Sequence, residues 1–320
     1  MMAFMQIRQA PISKKEMIMG KIEKKNFGFL TPERPTCQFL ILFLVFAFQP
    51  AHVKTCAQYL KRSLNEITEV PAEMTTNSAH YFPVFGLGDN NSSIIRGIER
   101  YGFLILDPEG FSNMTSLKNE EQVFYIIDGT GIFKYGDESV PVTANDYFYL
   151  PSDVRSGFSN PREKPLTILI MGFPIQPGNK VTPASKMMIA NSGEVPFQVL
   201  GSHGPTTQFQ LLMGTTESKR DKIAAACQVT SLFVMDFAPG GTNIPHRHER
   251  EEEIYYVLRG TGEIVAGETS DGKENRILSD AGDVFFFSPS TLIGFYSGNK
   301  DGEEHARILA VRFKYPPVGN

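Results

Sequence analysis

The chain has 320 residues, with 31 Lys and Arg against 35 Asp and Glu and a formal net charge of −4. That length admits two domains of ordinary size or one large one. The near balance of charge, with no long basic run, gives no sign of a nucleic-acid partner, and none is expected.

In chain order, the first 57 residues stand apart. Lys14, Lys15, Lys21, Lys24, Lys25 and Arg34 form a basic leader, followed by the apolar run FLILFLVFAF at 39–48. A spanning helix needs about 20 apolar residues, so this run fits the core of a secretory signal peptide. Thr55 and Ala57 in VKTCA occupy the small-residue positions of a cleavage site. A membrane anchor, or a later start at Met17 or Met19, is the alternative. The expectation is a leader over 1–57, cleaved on export, and a secreted or periplasmic mature chain without a stable membrane span. Cys37 and Cys56 would leave with it. Cys227, in the apolar context AAACQVTSLFV, is then a buried thiol with no disulfide partner.

Beyond residue 57, 25 Phe and 11 Tyr accompany Gly and Pro at short intervals, and helical periodicity is weak. Short apolar-aromatic runs bounded by turn residues predict strands. The runs repeat. EEQVFYIIDGTG at 120–131 lies over EEEIYYVLRGTG at 251–262, with six of twelve positions identical. NDYFYLPSDVRSGFSN at 145–160 lies over GDVFFFSPSTLIGFYS at 282–297 with four matches. About six extra residues in AGETSDGKENRI separate the blocks of the second half. Such a repeat predicts two similar domains: 58–175, a connector over 176–225, and 226–320.

The second half carries the chemistry. Gly240, His246, His248, Glu253 and Gly260 are spaced so that two imidazoles and a carboxylate precede an aromatic strand. Residues two apart on a strand share a face, so His246 and His248 can point inward together. Glu253 needs a turn or bulge after His248, which the polar ERE supplies. Neutral imidazoles and a carboxylate are ligands for Fe, Mn, Zn, Ni or Cu. Glu251 and Glu252 read as outward-facing or supporting, and Arg247 and Arg250 as solvated.

This spacing resembles the first motif of the cupin superfamily, and Gly282-Asp283 with VFFFSPSTLIGF resembles its second. The chain from residue 58 onward therefore resembles a bicupin. The resemblance implies an all-β fold of two tandem cupin jelly-roll barrels after a signal-like segment. It also implies a histidine at the position of Ile293, as a fourth ligand. That histidine is missing here, Ser288-Pro289-Ser290 replaces the usual Pro-x-Gly, and Ser297 replaces an asparagine. Three outcomes stay open: three protein ligands with open positions, a substitute such as His305 or His203, or a barrel without metal. In the first half Thr115, Leu117, Gln122 and Ser156 fall at the ligand positions, and no metal is expected there.

Function follows as expectation. The resemblance implies a metal-dependent enzyme acting on a small organic molecule, with its one active site in the second barrel. His246, His248 and Glu253 would hold one divalent ion (Fe, Mn or Zn), as Lewis acid or for dioxygen activation. A dioxygenase, an oxidoreductase, is favoured because few protein ligands leave room for substrate and O₂. An isomerase, lyase or hydrolase is the alternative with Zn or Mn, and a non-catalytic small-ligand-binding or storage protein is another. Tyr255 and Val257 share the face of Glu253, and Tyr255 is the candidate catalytic hydrogen-bond donor. A monomer or homodimer is expected, and no DNA-binding module is seen.

Overall fold

The computed structural model of the chain describes residues 58–178, 187–201, 203–298 and 304–316. The expected leader over 1–57 lies outside the described residues. Among the described residues the regular secondary structure is almost wholly strand, in sheets of seven, six, four and three strands. They form two jelly-roll barrels, which is the fold class the sequence predicts.

The first barrel has a six-stranded sheet: Met188–Asn191, Asp146–Leu150, Glu120–Asp128, Leu166–Pro174, Arg100–Leu106 and Ala79–Gly86 in spatial order. A three-stranded sheet of Glu138–Thr143, Thr130–Tyr135 and Ser156–Ser159 faces it. In the second barrel the large sheet runs Tyr59–Ser63, Asp283–Phe287, Glu252–Arg259, Ala306–Phe313, Val229–Phe237, Thr207–Thr215 and Ile223–Ala226. Its partner sheet runs His246–Arg247, Leu292–Ser297, Thr261–Glu268 and Glu274–Asp280.

Two strands cross between the halves. Tyr59–Ser63, at the start of the first half, pairs with Asp283–Phe287 of the second barrel. Met188–Asn191, from the segment read as connector, pairs with Asp146–Leu150 of the first. The rest of that segment gives Thr207–Thr215 and Ile223–Ala226 to the second barrel.

The central strands are buried on both faces, which is why they read as continuous apolar runs. In Glu252–Arg259, Tyr255 and Val257 join the second barrel's interior, while Ile254 and Tyr256 join a core shared by both halves. Phe285, Phe286 and Phe287 alternate between the two faces of their strand. Phe285 and Phe287 lie in the barrel, and Phe286 meets Phe85 of the other half at 6.2 Å between ring centroids.

Glu252 corrects one expectation. It is fully buried, not outward-facing, and its carboxylate accepts hydrogen bonds from the backbone N–H of Gly97 (2.7 Å) and Arg96 (3.2 Å). Its equivalent in the repeat, Glu121, accepts from the N–H groups of Cys227 (2.7 Å), Gln228 (2.7 Å) and Val229 (3.1 Å). Each half thus grips a loop of the other with one buried carboxylate. Burial raises both carboxyl pKa values, that of Glu252 to about 7.

The first barrel is filled. Phe124, Phe133, Phe148 and Phe158 pack with ring centroids 4.7–6.2 Å apart. Arg100 Nε donates to Glu120 Oε1 at 2.7 Å, and Gln122 Nε2 donates to the same oxygen at 3.2 Å. Thr115 and Ser156 exchange backbone hydrogen bonds at 2.8 Å. The void left beside Gln122, Thr115 and Ser156 is about 10 Å³.

Candidate functional site

The second barrel holds a cavity of about 340 Å³; at the equivalent place in the first barrel the void is about 10 Å³. His246, His248, Glu253 and Tyr255, the four residues singled out from the sequence, all line it. His246 begins the short strand His246–Arg247, and His248 follows that strand. Glu253 and Tyr255 come from Glu252–Arg259, on the facing sheet.

The three candidate ligands touch in sequence. His246 Nε2 and His248 Nε2 are 3.1 Å apart, and His248 Nε2 is 3.2 Å from Glu253 Oε2. His246 Nδ1 donates to the carbonyl of Ile244 at 3.0 Å, which leaves Nε2 toward the cavity. Both imidazoles are held neutral. Desolvation lowers the pKa of His246, and desolvation followed by the charge of Arg312 lowers that of His248 to about 3. Glu253 is 2 % exposed, and desolvation raises its pKa to about 8. The short His248–Glu253 contact is therefore a meeting of neutral groups, not an ion pair. Neither Glu253 oxygen makes a hydrogen bond, although His248 Nε2 stands 3.2 Å away.

These observations bear on a metal. Two neutral imidazoles and one orphaned carboxyl are a suitable donor set. Adjacent donors on an ion with bonds of about 2.1 Å and right angles stand about 3.0 Å apart, close to the two spacings found. Yet among the described residues no group of three or more His, Cys, Asp or Glu is gathered so that it could hold an ion as it stands. The donor types suit a divalent ion, but the three groups as placed do not enclose one. Ile293, at the place of the missing histidine, pairs with His246 across the sheet and is 2 % exposed. Of the two substitutes considered, His203 lines the cavity, its ring 4.9 Å from that of His246. Its Nδ1 donates to the carbonyl of Asn243 at 2.7 Å. His305 is half exposed and bound to Asp236 outside the cavity.

Tyr255 is 1 % exposed, and its hydroxyl accepts from Asn243 Nδ2 at 3.4 Å. Asn243 in turn accepts from the N–H of Phe295 at 2.8 Å, so the tyrosine is fixed by a buried amide. Burial keeps its phenol well above the usual range, hence protonated.

Sequence reasoning missed Arg312, Ser231, Arg220 and Asn243. Arg312 pairs in register with Glu253 on one side and Ser231 on the other. Its Nη1 lies 3.3 Å from His248, and its Nε 3.2 Å from Glu251. The repeat holds the only local signal: Glu251 falls on Glu120, and Glu120 also pairs with an arginine, Arg100. The two arginines arise from different strands and so do not align.

Comparisons with known proteins agree with this architecture. The family model described as Cupin domain matches residues 102–172 and 233–312. Germin-like protein 8-2 of Oryza sativa subsp. japonica is 38% identical over 91 residues, 28% of this chain and 40% of its own length. Putative germin-like protein 2-2 of the same organism is 30% identical over 165 residues, 49% of this chain and 68% of its own length. The chain thus spans about two fifths of the first relative and about two thirds of the second. The solved formate complex of Lactobacillus farciminis oxalate decarboxylase superposes with a TM-score of 0.58 at 13% identity. That match covers 81% of this chain and 87% of the decarboxylase, and concerns the fold alone.

Proposed function

Because the chain belongs to the cupin superfamily, as a bicupin, we propose that its second barrel is a metal-dependent enzyme site for a small organic molecule. The observation that carries the proposal is the convergence of His246 Nε2, His248 Nε2 and the orphaned Glu253 carboxyl at one wall of the cavity. These three residues would hold one divalent ion: Fe, Mn or Zn. Bound there, the ion supplies Lewis acidity, or binds and activates dioxygen.

The protein's own residues do the rest. Tyr255, pinned by Asn243, presents a protonated hydroxyl at the cavity wall. Ile293 in place of a fourth ligand leaves a coordination position open, which favours an oxidoreductase of the dioxygenase class over an isomerase, lyase or hydrolase. The first barrel, with its interior filled, acts as a packing partner. The basic and apolar leader supports passage through a secretory route. No helix among the described residues is long and apolar enough to cross a membrane.

A second reading, a small-ligand-binding protein without catalysis, is favoured by the Arg312 guanidinium against His248. A fixed cation beside a ligand weakens metal affinity. Oxygen-consumption assays with the Fe-loaded protein across a panel of small organic acids and phenols test the two. Turnover that disappears in Tyr255→Phe or Glu253→Gln supports the enzyme; saturable binding without turnover supports the second reading.

A further inference from the structure

The cavity is divided by the register of its floor. One cross-strand row holds Glu253, Arg312 and Ser231. The next row inward holds Tyr255, Ala310, Phe233 and Leu211, and the one after it Val257, Ile308, Met235 and Phe209. On this sheet the first row is polar, and the deeper rows are apolar apart from the Tyr255 hydroxyl. Of the charged residues lining the cavity, Arg220 and Arg312 are cations and Glu253 is the one carboxyl. Arg312 is one-fifth exposed; its Nε stands 3.2 Å from Glu251 Oε2 as an ion pair without a hydrogen bond, and its Nη1 lies 3.3 Å from His248. Its Nη2 has no partner among the described residues. Arg220 is half exposed and donates through Nη2 to Ser231 Oγ at 3.3 Å. Both arginines therefore flank the Ser231 position from different directions.

We propose that this cavity takes an organic acid with an apolar body: its carboxylate is held by Arg312 and Arg220, and its hydrocarbon part lies against Phe209, Leu211, Phe233 and Met235. The inference rests on the reading of this cavity as a small-molecule site. A guanidinium offers paired donors in the plane of a carboxylate, and one already oriented by a neighbouring glutamate loses little freedom on binding. Partial burial strengthens the attraction relative to open water. A volume of about 340 Å³ is within the range of pockets that enclose a drug-sized molecule, far more than a two-carbon diacid fills. Such a diacid would leave four large apolar side chains facing empty space or disordered water. An acid carrying a ring or a chain of several carbons covers them, and that burial adds to the ionic contact.

The test is calorimetric titration of the whole protein with 3-phenylpropionate, its neutral amide, and oxalate. The metal content of each sample is measured alongside. The acid should bind at least tenfold more tightly than the amide and than oxalate. Arg312→Gln, checked by thermal melting to be folded, should lose about tenfold in affinity for the acid and change little for the amide. Arg220→Gln should show a smaller loss of the same kind. Equal affinity for acid and amide, tighter binding of oxalate, no effect of Arg312→Gln, or no saturable binding of the acid would each overturn the inference. Acid binding by protein that carries no metal would keep it and remove the metal-centre reading instead.

Discussion

Glu253 is a buried carboxyl with no hydrogen bond, and such a group destabilises a fold unless something else uses it. Its pKa is raised from 4.5 to about 8. A carboxyl raised on folding contributes stability fully present below its unfolded pKa and lost as pH rises through the folded one. Metal-free protein should therefore lose stability between about pH 4.5 and pH 8 through this residue. Glu253→Gln, which does not titrate, should match the parent at pH 4 and exceed it at pH 9 by on the order of 5 kcal/mol. Denaturant unfolding at the two pH values measures this. A variant less stable than the parent at pH 9 would mean that the carboxylate is satisfied by a group the cavity does not show. The neighbouring imidazoles were legible from spacing alone, because alternate strand positions share a face. Arg312, 64 residues beyond His248, was not. Cross-strand register brings it in, and no local pattern announces a register.

At the scale of elements, the strands that lead into Tyr125 and Tyr256 carry the clasp between the barrels. Glu121 and Glu252 hold five backbone N–H groups of the opposite half between them. Removing Glu252 strands those of Arg96 and Gly97 in a buried place. Glu252→Ala should cost about 1–3 kcal/mol, while Glu252→Gln, keeping an acceptor, should cost less; paired denaturation curves compare them. In the first barrel Gly172 lies in register with Arg100 and Gln122. A Cβ there would come within 1.9 Å of Glu120 Oε1 and 2.7 Å of Arg100 Cγ. The ion pair is buried and has little room to give, so Gly172→Ala should destabilise by about 1–3 kcal/mol. An unchanged melting temperature would show that the Arg100–Glu120 pair is free to move. The glutamate pair EE was plain in both repeats. Its role was misread in Glu252 because strand alternation assigns it to the outer face, and here the outer face is the other barrel.

Across the whole molecule, the two halves are fastened by exchanged edge strands as well as by a shared core. Tyr59–Ser63 covers the edge of Asp283–Phe287, whose aromatic run would otherwise be exposed. Gln58 extends that contact, its carbonyl accepting from the N–H of Ser288 at 2.9 Å. A chain lacking residues 58–63 should melt at lower temperature and aggregate through that edge, as light scattering during a thermal ramp would reveal. The repeat made two barrels legible because both halves bury the same runs on both faces. The strand exchange was invisible, since Tyr59–Ser63 and Met188–Asn191 are short, only partly buried and pair with strands far away in the chain. The site itself was legible to the extent that it is local in sequence: His246, His248, Glu253 and Tyr255, but not the arginines and the amide that shape their cavity.

Elemental analysis decides whether the second barrel holds a metal. The protein would be purified without added metal, beside the double variant His246→Ala/His248→Ala, and both analysed before and after incubation with Fe, Mn or Zn. About one divalent ion per chain is expected in the parent and almost none in the variant. Metal equally low in both, even after incubation, would contradict it and leave the cavity as a site for organic ligands alone.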